Sequence, residues 1–177
     1  MKERMCSGND IHYLLHEAAN GNARCAYLVG CTFEEMGYRP FFVQAQFRRA
    51  ANLGYPLAQR WLGILGLCHL LLAESSTFTD DAYEQDDATA LSWLRKAASG
   101  NDKISVLILA KCKMLGIGTE ADEISGEMET EGILPFLTED DVLNVSLLFE
   151  YIRLKSENAA PGSFHFLRDT PLRALAG

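Results

Sequence analysis

Apolar residues recur along this chain at helical spacing, and short segments rich in glycine, proline or aspartate separate the runs. Ile11, Leu14, Leu15 and Ala18 share one face of a helix that Asp10 can cap and Gly21 can stop. Pro40 suits the first turn of a second helix, where a missing N–H loses no intrahelical partner, and Val43, Phe47, Ala50 and Ala51 form its stripe. Gly54 ends that helix and Pro56 opens the next, in which Leu57 to Leu72 is apolar nearly all round and predicts central burial. A later helix starts on Asp86 or Asp87, turns Ala90, Trp93, Leu94 and Ala97 inward, and breaks at Gly100. Near the C-terminus, Thr138-Glu139-Asp140-Asp141 reads as a capping box with its acids at the positive end of the helix dipole. Val142, Val145, Leu148, Phe149 and Ile152 supply the stripe of that last helix, and Ala160-Pro161-Gly162 terminates it.

The same order of features occurs three times. Residues 17–30, 50–63 and 97–110 each contain small residues, a glycine-containing turn and an apolar segment closing on Gly30, Gly63 or Ala110. Each unit therefore predicts helix, tight turn, helix, and the wider second interval predicts an insertion of roughly a dozen residues between the second and third units. Alanine at one helix end and glycine within the next allow two backbones to approach closely. A mid-helix glycine costs about 1 kcal/mol relative to alanine, so Gly63 implies a close contact that offsets this cost.

Composition narrows the function. At 177 residues and 48% apolar, the chain is long enough for one well-buried domain. Its net charge of -8 disfavours a phosphate backbone, so nucleic acid is not expected as a partner. The longest uncharged apolar run, Trp61 to Ala73, is too short to cross a hydrocarbon core of ~30 Å, and no membrane partner is expected. Charged residues near Met1 are followed by no apolar stretch, which argues against a secretory signal. Five cysteines, an odd number with no Cys-x-x-Cys pair, predict reduced thiols and a cytoplasmic setting. Acidic residues concentrate in two stretches without a basic residue, Glu74–Ala90 and Thr119–Asp141. The organisation expected is a repeat array over 1–122 with an acidic insertion near 74–87, an acidic linker and C-terminal helix over 123–160, and a tail over 161–177.

The repeated residues carry a family resemblance. Ala50-Ala51, Gly54, Ala58-Gln59 and Leu62-Gly63 follow a spacing that resembles the Sel1-like repeat, a tetratricopeptide-related helical hairpin. Trp93 to Ala98 resembles its lead-in, and Leu109-Ala110 with Gly116, Gly118 and Asp122 resembles its ending. The likeness spans about residues 10 to 122. Departures include Glu17-Ala18 in place of the small pair, Gly37 one residue late, no closing glycine after Leu70-Leu71-Leu72, and Ala110 in place of glycine. The resemblance implies an all-α fold: an α/α solenoid of about three degenerate Sel1-like hairpins plus a C-terminal capping helix, about seven helices in total. It further implies adaptor work in assemblies, without chemistry of the chain's own.

Motifs for chemistry are sparse. His12 and His16 lie four apart on one helix face and could reach one metal ion, but Glu17 lies outside the pair, unlike the zincin order, and no third ligand is identifiable. A solvent-facing pair is the preferred reading, and a small helical metallo-hydrolase is the rival. Gly116-Ile117-Gly118 lacks the context of a phosphate cradle, no nucleophile elbow occurs, and the acidic runs lack calcium-loop spacing. No catalytic residue, metal or cofactor is therefore assigned.

Arg48-Arg49 and Arg95-Lys96 recur at one repeat position. They can complement helix dipoles, or the first helices can line a concave groove that offers Gln44, Arg48, Leu91 and Arg95 to a partner. The function expected is a non-catalytic protein-interaction module. A narrower version is an immunity- or chaperone-like protein that neutralises a basic protein, and a self-assembling subunit is a further alternative. The oligomeric state is not fixed by the sequence.

Overall fold

The structure, a computed structural model, describes residues 8–70 and 86–158. Eight α-helices and one 3₁₀ turn run in order among the described residues, with no strand. They are α1 (Gly8–Ala19), α2 (Ala23–Glu35), α3 (Pro40–Asn52), α4 (Pro56–Leu67), α5 (Asp87–Ser99), α6 (Lys103–Leu115), α7 (Glu123–Ile133), the turn Leu134–Phe136, and α8 (Glu139–Asn158). From α1 to α7 each helix packs on its neighbour in sequence, and α8 packs back on α6. The hairpins α1/α2, α3/α4 and α5/α6 thus stack in chain order, as expected of a solenoid.

Local chemistry places the helix ends. Asn22, Asp86, Asp102 and Asp122 occupy N-cap positions, each accepting a backbone N–H from the first turn of its helix. Pro40 and Pro56 occupy the first turns of α3 and α4. The capping box of α8 is present in full: the Thr138 backbone N–H and hydroxyl both donate to Asp141 Oδ2, and the Asp141 N–H donates to the Thr138 hydroxyl. Thr89 Oγ1 and the Ala88 N–H both donate to the Asp86 carboxylate and hold its pKa below the ordinary 3.8. A depressed carboxylate adds stability above its unfolded pKa and loses it as pH falls through the folded one. Amide exchange at Ala88 and Thr89, measured against global unfolding, is expected to accelerate locally only below about pH 4; uniform protection down to lower pH would contradict this.

The core is continuous through the stack. Ten successive residues of α4, from Ala58 to Leu67, are buried, which matches the nearly all-apolar reading of that helix. Tyr55, Tyr27, Phe47 and Trp61 make successive ring contacts with centroids 5.0, 5.4 and 4.2 Å apart, joining the first hairpin to the second. Glycine then brings α4 against α5. A Cβ at Gly63 would lie 2.5 Å from Leu94 Cγ, and one at Gly66 would lie 2.6 Å from Ala90 Cβ. Val145 and Leu148 of α8 are buried, and Val142, Phe149 and Ile152 are partly so, as their stripe predicts.

Several expectations are corrected. Gly100 ends α5 as expected, but its φ is -81° and the left-handed residue is Asn101, at +69°. Gly100 is small for a different reason, because a Cβ there would lie 2.7 Å from Pro56 Cγ. The helix over Leu57 to Leu72 stops at Leu67, and His69, at φ 54°, takes the place of the missing closing glycine. Leu15 is 37% exposed rather than inward-facing, and Asp10 lies within the first turn of α1 rather than capping it. The acidic linker contains a helix, α7, which packs on α6 at Gly126 and buries Ile133. The expected insertion lies outside the described residues except for Asp86 and Asp87, and the 161–177 tail lies wholly outside them.

Candidate functional site

The four expected groove residues separate on folding. Gln44 and Leu91 are each only 1% exposed and cannot face a partner on this surface. Gln44 shares the inward stripe of Val43 and Phe47, and its amide donates to the Leu70 carbonyl at 2.8 Å. Leu91 packs beside Ala90 and Leu94 and fills the space next to Gly118. Arg48 is half-buried and lines an open cleft of about 490 Å³ together with Gly21, Ala45, Arg49, Asn52 and Leu53. Arg95 stands exposed on α5, outside that cleft. Their neighbours have structural contacts. Arg49 donates to the Ala19 carbonyl at the end of α1, 3.1 Å away, and Lys96 sits 4.0 Å over the Trp93 ring.

A buried ion pair is the polar feature that sequence reasoning missed. Arg60 Nη1 donates to Asp102 Oδ1 at 2.6 Å, with the two residues only 4% and 9% exposed. Asp102 Oδ2 accepts from the Ser105 backbone N–H and hydroxyl, so one carboxylate caps α6 and binds α4. The signal was a lone arginine in an otherwise apolar helix, since a buried charge requires a hydrogen-bonded partner. Arg60 Nε has no hydrogen-bond partner among the described residues. Gln59 donates to the Ala51 carbonyl at 3.0 Å and ties α4 to the end of α3.

His12 and His16 are exposed, and His16 Nδ1 lies 3.3 Å from Glu17 Oε1. No group of three or more histidine, cysteine or acidic side chains is placed to hold a metal ion among the described residues. None of the four described cysteines is in a disulfide; Cys25, Cys68 and Cys112 are buried and Cys31 is half-buried. Burial pushes the Cys112 thiol up to about 12, which suppresses the reactive thiolate at neutral pH. Alkylation read by mass spectrometry should therefore reach Cys31 first among these four and Cys112 only as the protein unfolds. Labelling of Cys112 as fast as Cys31 in folded protein would contradict this packing.

Most of the exposed acids among the described residues lie on α7 and the segments that flank it. Of the nine acids between Thr119 and Asp141, only Asp141 is partly buried. Glu129 is the acid in this stretch bonded to a basic side chain, Lys113 Nζ, at 2.9 Å. Ile124 and Met128 project from the same helix with 75% and 68% exposure.

Together the stacked hairpins, sequential packing and interhelix glycines define an all-α helical-repeat solenoid. The particular fold is the Sel1-like repeat. The structure is similar to the crystal structure of a Sel1 repeat protein from Oxalobacter formigenes, with a TM-score of 0.61 and 18% identity over 77% of this chain and 97% of that one. No protein-family model matches the sequence, and no curated protein matches it. No described helix is long and apolar enough to cross a membrane.

Proposed function

We propose that this chain is a non-catalytic protein-interaction module, working in the cytoplasm, that grips a protein or peptide on its helical-repeat surface. The observation that carries the reading is where the buried polar side chains end. Gln44 and Gln59 bond backbone carbonyls, and Arg60, Asp102 and Ser105 bond one another or the start of α6. Each of these groups holds helices in place, and none of the bonds they make converges on an open cleft. Helical-repeat scaffolds of this kind offer extended surfaces to partners. Arg48 in its cleft and Arg95 on α5 are the contact points retained from the expected groove.

A second reading is favoured by the exposed acids of α7 and the start of α8: the module neutralises a basic partner, as an immunity protein or chaperone does. Such a pairing is steered by charge and weakens with salt. Immobilised protein is expected to retain a discrete partner from its source extract and to release it progressively as salt rises. Retention that ignores salt contradicts the electrostatic reading, and turnover of a substrate by purified protein contradicts the module itself.

A further inference from the structure

Building on that interaction-module reading, we infer that the outer face of α7 is a docking strip for an amphipathic, basic helical segment of a partner protein. The inward side of α7 is settled by Gly126 and Ile133, which are buried against the stack. A Cβ at Gly126 would overlap Met114 Cγ, so this side approaches α6 as closely as a helix can. At 100° per residue, the side opposite these positions carries Ile124, Met128 and Glu131, with Glu127 beside them. All four are exposed.

Two parallel rows result. Ile124 and Met128, one turn apart, form an apolar row in water. Glu123, Glu127 and Glu131 form an acidic row beside it at the same four-residue interval. Like charges at that spacing destabilise a helix. Neither Glu127 nor Glu131 has an ion-pair partner among the described residues to offset this. An apolar row flanked by charges is the pattern by which helices select one another, apolar side chains meeting in the seam and flanking charges choosing the partner. The complementary segment therefore has leucine-like residues at helical spacing flanked by lysine or arginine.

Gly132 agrees with this placement. A Cβ there would meet nothing within 4 Å, so contact within the described chain does not require a glycine at this position. Near the end of the apolar row it leaves room for an incoming helix to approach.

A synthetic amphipathic peptide of leucine and lysine at helical spacing is the probe, titrated into the isotopically labelled full chain and followed by amide chemical shifts. Shifts are expected to concentrate on Ile124, Glu127, Met128, Glu131 and Gly132. Glu127→Lys with Glu131→Lys, and separately Ile124→Ser with Met128→Ser, should each weaken binding at least tenfold while leaving the circular dichroism unchanged. The same composition scrambled to lose amphipathicity should also bind at least tenfold more weakly. Shifts centred on the acidic start of α8, equal affinity for either double variant, or equal affinity for the scrambled peptide would overturn the strip. Any of these leaves the interaction-module reading standing, which fails instead if extract capture retains no partner.

Discussion

Replacing Asp102 by alanine is expected to destabilise the protein by about 3–5 kcal/mol, because it leaves the Arg60 guanidinium buried without its carboxylate. The α6 cap is lost in the same step, since the Ser105 N–H and hydroxyl both donate to Asp102. For a chain of this size the melting temperature should fall by roughly 10 °C. Arg60→Met combined with Asp102→Ser removes both charges and keeps a capping oxygen, so it should recover most of the loss. Urea unfolding of the three proteins decides the matter. An Asp102→Ala protein within about 1 kcal/mol of the parent would mean that water reaches the pair and that it does not clamp α4 to α6.

Gly63→Leu carries the second large effect. Leu94 Cγ already stands 2.5 Å from where the first added carbon would sit, and the Ala90 carbonyl oxygen stands 3.2 Å away. Leu94 and Ala90 are themselves fully buried, so neither can swing aside into solvent. Overpacking of this kind costs about 1–3 kcal/mol and more where backbone must shift. The contrasting substitution is Gly132→Ala, which meets nothing and should stabilise α7 by up to about 1 kcal/mol. A Gly63→Leu protein that melts with the parent would show that α4 and α5 do not touch there.

The hairpin logic was legible in the sequence because local and long-range signals agree. Pro40, Pro56, Asp86 and Thr138 start helices for reasons contained within one turn, and the stripes of α3, α4 and α5 point where their periodicity says. What escaped was decided by contacts distant in sequence. Gln44 reads as a surface glutamine until the end of α4 brings the Leu70 carbonyl to it. Gly100 and Asn101 both permit a turn, and the ring of Pro56 settles which of them must lack a side chain. The sequence of helix α7 reads as a linker because two of its few large apolar residues, Ile124 and Met128, face outward and weaken any inward stripe. Its real signals were the cap at Asp122 and the small Gly126. The burial of Leu91 escaped similarly: it lies between the inward Ala90 and Leu94, and a stripe one residue wider includes it.

Consecutive hairpins nest through small residues, as where Gly63 and Gly66 of α4 meet α5. Nuclear Overhauser contacts across α4 and α5 in methyl-labelled protein test this nesting most directly. Cross-peaks from the Gly66 α-protons to the Ala90 methyl, and from those of Gly63 to the Leu94 methyls, are the predicted result. Their absence, with Ala90 and Leu94 in contact with other helices instead, would contradict the stacking.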